Sequence, residues 1–387
     1  MVEKINIAPG TFSSFDICIL EDCNLRCRYC STGYGRWGHS PRQMKRATMD
    51  IAIDFMIRSS TPSFKVGFSG GETLMAFDNL KYFIDQLFRA KKQQGKKVFV
   101  ELATNGVLLT ESICQYLADH RIGLVISIDG DARTTDRNRV SRNGAGVYHR
   151  IMEGFKLYSE GPRQSSAPPL PARADCTIDS KACLFDSVQH LFNCGFKEVL
   201  ARPVSTSEYT GFSDASANAR FLASLGQLVQ NVLKPLELDD IISGNYRHML
   251  INIRELILGL IDPVQHGISC GALNQQICIT ATGDLAPCFP LYQISETRHR
   301  LGSVFTGLDA SKHLTLQNSF EASNAGCRTC WAKPLCSQCY VYTREMARCE
   351  DAFGRHTYCQ LVKGTLTILK KELARRYPDW TVFHESP

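Results

Sequence analysis

The chain of 387 residues contains no run of about 20 uninterrupted apolar residues, the length a membrane-spanning helix needs. Residues 1–13 lack a basic stretch followed by an apolar one, so no secretory signal is read there and a soluble, cytoplasmic protein is expected. Charge of one sign is not in excess either. The 44 Lys and Arg against 38 Asp and Glu leave +6, and the basic residues are scattered apart from short runs such as Lys91-Lys92, Lys96-Lys97 and Arg375-Arg376. That pattern reads as solvated surface and disfavours a nucleic-acid partner. With 44% hydrophobic and 21% charged residues, disorder, collagen and coiled coil are excluded. What the chain has in plenty is cysteine. There are 17, an odd number without an export signal, which disfavours a disulfide framework and favours metal ligation or redox chemistry.

From Phe15 to about Pro203, short apolar runs alternate with longer amphipathic stretches. Strands are predicted at Phe15–Leu20, Lys65–Ser69, Val98–Thr104, Gly123–Ile128, Ala172–Ile178 and Glu198–Pro203. Helices are predicted at Met49–Arg58, Asn79–Gln94, Glu111–Asp119, Val147–Ser159 and Cys183–Asn193, with Asp78 and Thr110 as N-caps. Six such β-α repeats imply a parallel sheet with right-handed crossovers, doubly wound or curled into a partial barrel. Sites in these folds gather at the C-terminal ends of the strands. Helices at about Ala215–Leu233 and Tyr246–Leu260 lead out of the repeats, and beyond Ile268 nine cysteines fall between Cys270 and Cys359, ahead of a helix at about Leu361–Tyr377.

The first predicted strand runs directly into Cys23-Asn-Leu-Arg-Cys27-Arg-Tyr29-Cys30. Three thiolates from one loop can hold three irons of a 4Fe-4S cluster and leave the fourth open to a non-protein ligand. A structural zinc site wants four ligands, and no further Cys or His follows before His39. The spacing resembles the CxxxCxxC signature of radical S-adenosylmethionine (SAM) enzymes, which usually carry an aromatic residue at the position of Tyr29. Later strand ends extend the resemblance. Gly70-Gly71-Glu72 resembles the family's GGE motif, which holds the SAM amino group; no Lys-Ser/Thr pair follows it as in a phosphate loop. Thr104-Asn105-Gly106 and Ser127-Ile128-Asp129-Gly130 end the next two strands, and Arg139 closes a D-x-x-R. The resemblance implies that Ser127 contacts SAM and that Arg139 pairs with its carboxylate, for which the guanidinium fork is suited.

Cys270-x12-Gly283-x4-Cys288, then Cys327-x2-Cys330-x5-Cys336-x2-Cys339 and finally Cys359 resemble the SPASM domain, which carries two auxiliary 4Fe-4S clusters. A zinc ribbon would separate its two C-x2-C pairs by roughly 15 to 20 residues, not five. The family usually has three residues where Cys336 and Cys339 enclose two. The resemblance implies Cys327, Cys330, Cys336 and Cys359 as ligands of an outer cluster, and Cys270, Cys288 and Cys339 of a nearer one, with Cys278 available as fourth ligand and Cys349 competing with Cys359. Cys18, Cys114, Cys176, Cys183 and Cys194 sit in apolar patterns and are expected as buried core thiols.

The fold implied is α/β: a partial (β/α)6 TIM-like barrel over residues 1–230, a helical bridge over 231–267 and a small cysteine-rich iron-sulfur domain over 268–387. The cofactors implied are SAM and three 4Fe-4S clusters, one binding SAM and two auxiliary. The activity implied is oxidation or cross-linking of a residue in a peptide or protein, with electrons from a donor such as flavodoxin or ferredoxin. Only 22 residues precede Cys23, so leader recognition is expected from a separate protein or the enzyme surface. An anaerobic sulfatase maturase, making formylglycine, is the alternative. There an aspartate follows the cysteine matching Cys288, whereas here Phe289 does, leaving Glu208, Asp214 or Tyr292 as substitutes for the base. A metal-stabilised binding module without catalysis is the alternative of another class.

Overall fold

The structure, a computed structural model, describes residues 12–161, 168–204, 215–262, 266, 270–341 and 355–379. Cys349, Glu208 and Asp214 lie outside the described residues. In chain order the strands are β1 (Phe12–Cys18), β2 (Leu20–Glu21), β3 (Arg42–Gln43), β4 (Ser60–Ser69), β5 (Lys97–Thr104), β6 (Gly123–Ser127), β7 (Arg173–Ile178), β8 (Glu198–Pro203), β9 (Met249–Leu250), β10 (Gln276–Ile279), β11 (Asp284–Ala286), β12 (Gly302–Ser303) and β13 (Gly307–Leu308). By contacts the chain forms two compact units, each built from three segments.

The first unit comprises Met1–Ser127, Asp136–Ala172 and Gly271–Ser319. Its strands lie in the order β13-β12-β11-β10-β1-β4-β5-β6. β10, β1, β4, β5 and β6 run parallel, whereas β10 to β13 form an antiparallel meander. The expected mixed α/β fold with a parallel sheet is therefore present. Parallel strands are covered on both faces, which is why they read as nearly continuous apolar runs. Phe15, Ile17, Phe64, Val66 and Phe68 are buried, with Phe15 edge-on to Phe64 at 5.6 Å and Phe68 edge-on to Phe83 at 5.3 Å. Phe83 comes from the helix Phe77–Gln93, which buries Leu80, Phe83, Ile84 and Leu87, an i, i+3, i+4, i+7 stripe. That helix starts two residues before the predicted Asn79, because Glu72 caps a 3-10 turn over Thr73–Ala76 that runs straight into it. Thr110 is an N-cap as expected, accepting the Ile113 N–H at 3.3 Å.

The second unit comprises Ile128–Thr135, Arg173–Cys270 and Phe320–Pro387. Its strands β7, β8 and β9 are parallel neighbours, flanked in sequence by helices Leu184–Asn193, Ala215–Leu233 and Ile251–Ile261. The C-terminal helix spans Arg355–Arg376, starting six residues before the expected Leu361. Among the described residues no helix is long and apolar enough to cross a membrane.

Register fixes where the site can form. Cys18 lies beside Ser69, Phe68 beside Leu102 and Thr104 beside Ile126, so four strand ends finish at one level. Two glycines allow the turns there to touch. A Cβ on Gly71 would sit 1.8 Å from the Asp22 carbonyl oxygen, and one on Gly70, at φ +137°, 2.7 Å from Cys18 Sγ. Gly71→Ala is therefore expected to destabilise the protein by about 2 kcal/mol or more. Gly95→Ala, at φ +64° with open space around it, should cost no more than about 1 kcal/mol. Urea unfolding of both variants checks this; a Gly71→Ala protein as stable as the parent would contradict it.

Candidate active site

The loop after β1 and β2 carries Cys23, Cys27 and Cys30, and it is held from several sides. Backbone N–H groups of Arg26 and Arg28 donate to the carbonyls of Val140 and Asn138 at 2.7 and 2.9 Å, and Leu25 forms an antiparallel bridge with Ser141. This short pairing lays the 138–141 segment along the cysteine loop. It places Arg139, 7% exposed, with its guanidinium 5.4 Å from the centre of the Tyr29 ring. Arg139 is thus buried at the loop. Arg142, which the sequence reading missed, donates to both Asp22 carboxylate oxygens at 2.9 Å and to the Cys23 carbonyl at 2.8 Å. No local pattern could have revealed it, since its partners lie 120 residues away.

Glu72 joins the next two strand ends. Its Oε1 accepts from the Thr104 hydroxyl at 2.7 Å and the Leu74 N–H at 3.1 Å, and its Oε2 accepts from the Asn105 N–H at 2.7 Å. The Asn105 amide donates in turn to Asn24 at 2.8 Å and lies 3.9 Å from Cys23 Sγ. The GGE turn, the Thr104-Asn105 turn and the cysteine loop therefore meet directly. Burial lifts the Glu72 carboxyl above its usual range although these three donors oppose the shift, so a cationic group at this edge would be welcome. Ser127, half-buried, ends β6 in the same unit. In the second unit Asp129 is fully buried and accepts the Thr177 N–H at 3.0 Å, while its own N–H donates to Thr135 at 3.3 Å. Those bonds give Asp129 a fold-holding task.

The three thiols suit an iron-sulfur cluster. Burial pushes the Cys23 thiol up to about 12, and negative charge on Glu72, Cys27 and Cys30 adds to the shift. A thiolate in such company needs positive charge beside it, which a bound metal centre supplies. Among the described residues no three cysteine sulfurs lie within 4.8 Å of one another.

The later cysteines divide between the units. Gly283, at φ +83°, turns β10 into β11 where a Cβ would strike Phe305, Thr48 and Val304, and the hairpin sets Cys278 beside Ala286 with Cys288 just beyond. Cys278 packs against Ala286 and Tyr292 with Trp37 and Phe289 around them, and burial raises its thiol well above the usual range. This is the setting of a core thiol, which metal coordination alone would deprotonate. In the second unit, Cys330 N–H donates to the Cys327 carbonyl at 3.1 Å. Tyr358, next to Cys359, lies 3.7 Å from Cys336 Sγ and 2.8 Å from the Ser337 hydroxyl, and Cys336 and Cys339 both raise its phenol, after burial. Cys270 is half-buried in the same unit. Cys18, Cys114 and Cys176 are core thiols as expected. Cys183 is exposed and Cys194 only partly buried, because they cap the two ends of the helix Leu184–Asn193 rather than lie on its buried stripe.

The short Cys336 to Cys339 spacing has a visible consequence: Gln338 takes the left-handed conformation, at φ +49°. A side chain pays about 1 kcal/mol there that glycine does not. Gln338→Gly is expected to leave stability unchanged or raise it by up to about 1 kcal/mol in thermal unfolding, and a clear fall would contradict this reading of the loop.

Comparison with known proteins agrees with this geometry. The sequence model of the Radical SAM superfamily matches residues 17–162, which include the cysteine loop, the Glu72 and Asn105 turns and Arg139. A cysteine-type anaerobic sulfatase-maturating enzyme of Clostridium novyi is 26% identical over 141 residues, 35% of this chain and 37% of the relative. A serine-type anaerobic sulfatase-maturating enzyme of Bacteroides thetaiotaomicron is 29% identical over 140 residues, 35% of this chain and 33% of the relative. The matched stretch thus spans about a third of these relatives. Among solved structures, native anSMEcpe with bound AdoMet shares the fold at a TM-score of 0.73 and 16% identity, covering 95% of this chain and 99% of that one. The same protein with AdoMet and Cp18Cys peptide matches at 0.69 with the same identity and coverage. The fold is that of these neighbours, and residues 17–162 are similar to the Radical SAM superfamily.

Proposed function

We propose that the protein is a radical SAM maturase that oxidises or cross-links a residue of a ribosomally made peptide. The observation that carries this reading is the meeting of the three-cysteine loop, the Glu72 and Asn105 turns and the buried Arg139 at one sheet edge. A 4Fe-4S cluster and SAM held there would, once given an electron by a reduced donor, supply radical chemistry able to take hydrogen from an unactivated carbon. The chain's own part is to hold, orient and shield. Cys23, Cys27 and Cys30 are the thiolate ligands. Glu72, with Gly70, Gly71, Thr104 and Asn105, offers a buried carboxylate and turn backbone to an ammonium; Arg139 offers a fork to a carboxylate; Tyr29 and Ser127 complete the lining within the first unit. Within the second unit, Cys327, Cys330, Cys336 and Cys359 would hold an auxiliary cluster able to take up the electron released on substrate oxidation, and the resemblance implies a further one on the remaining cysteines of the pattern. A flavodoxin or ferredoxin as electron donor completes the partners in this reading.

The second reading, an anaerobic sulfatase maturase, is favoured by the names of the curated relatives. Against it stands Phe289, whose ring packs edge-on to Trp37 at 5.6 Å and offers no base after Cys288. The Tyr292 hydroxyl is engaged with the buried Glu21 at 2.7 Å. Formylglycine formed in a sulfatase peptide, and no change in any precursor peptide encoded beside the gene, would select this second reading.

Three outcomes are expected. The Cys23, Cys27, Cys30 triple Ala variant should release no 5′-deoxyadenosine on reduction with SAM; release at the parent rate would contradict the assignment, and an inactive parent would leave a metal-stabilised binding module. Arg139→Ala should weaken SAM binding at least tenfold, about 1.4 kcal/mol, in calorimetry of the reconstituted protein, and unchanged affinity would refute its role. Iron counted after anaerobic reconstitution should reach about 12 per chain, three clusters of four, and about four would remove the auxiliary clusters.

A further inference from the structure

Beside the first cysteine loop, three side chains aim metal-binding atoms at one point. Glu21 stands at the end of β2, His39 follows the loop 31–38, and Glu296 follows the helix Phe289–Ile294. Their nearest ligand atoms lie within 4.8 Å of one another. His39 Nε2 is 3.3 Å from Glu21 Oε2 and 3.2 Å from Glu296 Oε1.

Each residue's remaining atom is already taken. The Tyr292 hydroxyl donates to Glu21 Oε1 at 2.7 Å, which leaves Oε2 turned inward. His39 Nδ1 lies 2.7 Å from the Ser40 carbonyl and donates to it, which leaves Nε2 as the ring nitrogen facing the two carboxylates. Arg42 donates to Glu296 Oε2 at 2.9 Å, leaving Oε1 for the centre. This is the outer-shell arrangement that orients ligands around a metal, with the second imidazole nitrogen and the second carboxylate oxygens all held.

Among the described residues the one guanidinium at this cluster, Arg42, sits to the side, 2.9 Å from Glu296 Oε2, and donates no hydrogen bond to the atoms that face one another. The Glu21 side chain is wholly buried, and its Oε2, like His39 Nε2, has no hydrogen-bond donor. Arg42 comes no closer to Glu21 Oε2 than 3.6 Å. A buried carboxylate oxygen that accepts no hydrogen bond is costly, and a cation between Glu21, His39 and Glu296 would satisfy it. The Glu296 side, 39% exposed, leaves a way in from solvent.

We infer that Glu21, His39 and Glu296 bind one divalent first-row cation of nitrogen and oxygen preference, such as Mn2+, Fe2+ or Zn2+, with water filling the remaining positions. One imidazole and two carboxylates form a harder donor set than the cysteine clusters, so this ion is chemically separate from the iron-sulfur centres. It would fasten the strand entering the Cys23 loop, the loop leaving Cys30 and the helix after Cys288 to one another, all within the first unit.

The probe is Mn2+, titrated into reconstituted full-length protein with its clusters oxidised. The free ion is counted by its electron paramagnetic resonance signal, and bound iron and circular dichroism are recorded on each sample as checks of folding. The parent is expected to take up one Mn2+ per chain, and Glu296→Gln and His39→Gln each to bind it at least tenfold more weakly with iron content unchanged. Tyr292→Phe, which frees Glu21 to rotate, should weaken binding tenfold or more even if one of the other two variants fails to fold. Parent protein that binds Mn2+ no better than the variants would overturn the site and leave His39 as a protonated bridge between the two carboxylates.

Discussion

The Glu72 carboxylate is the tie on which the candidate site depends. It accepts from Thr104, Asn105 and Leu74 at once, and through Asn105 it reaches Asn24 and the edge of Cys23. Hydrogen bonds to a buried carboxylate are among the stronger ones in proteins, and removing one partner leaves the rest unsatisfied. These bonds can form only because β1, β4 and β5 end in step and because Gly71 lets the turn after β4 pass against the Asp22 carbonyl. Sheet register, a glycine without a side chain and one carboxylate thus bring three separated sequence motifs to a single edge. The same edge gathers the Arg139 guanidinium over Tyr29 through a few backbone bonds between residues 26–28 and 138–140.

Much of this was legible in the sequence, for physical reasons. Strands covered on both faces leave apolar runs, and the runs ending at Ser69 and Thr104 mark true strand ends, while the one predicted to end at Ile128 ends one residue earlier. Thr110 signals its helix because a hydroxyl before a helix satisfies an orphan N–H. Other features were hidden. The glycines of Gly70-Gly71-Glu72 read as ligand-contacting, yet the structure gives them first the task of letting two turns touch. The Arg142 clamp on Asp22 and Cys23, and the meeting of Glu21, His39 and Glu296, join residues far apart in sequence, and nothing in their own neighbourhoods announces a partner. Cys183 and Cys194 looked like core thiols because their neighbours are apolar, but capping positions fall off the buried face of a helix.

The cysteine-rich end shows how spacing becomes geometry. Gly283 sits where a left-handed residue must turn β10 into β11, so its distance from Cys288 measures a hairpin arm. The shortened gap between Cys336 and Cys339 is closed by Gln338 in the left-handed conformation, keeping both thiols near Tyr358 and the start of the C-terminal helix. The two compact units cut across chain order, with Gly271–Ser319 grouped with the first strands and Phe320–Pro387 with β7 to β9. Grouping of this kind follows tertiary contact and leaves no mark in local composition.

The central claim is that the loop of Cys23, Cys27 and Cys30 holds an iron-sulfur cluster with one iron open to SAM. The most direct test is electron paramagnetic resonance of the reduced, reconstituted protein before and after SAM is added, with the auxiliary cysteines changed to alanine so that one cluster is seen. The account predicts a reduced 4Fe-4S signal whose g values shift on addition of SAM. A signal unchanged by saturating SAM, or none at all from protein that retains its iron, would contradict it.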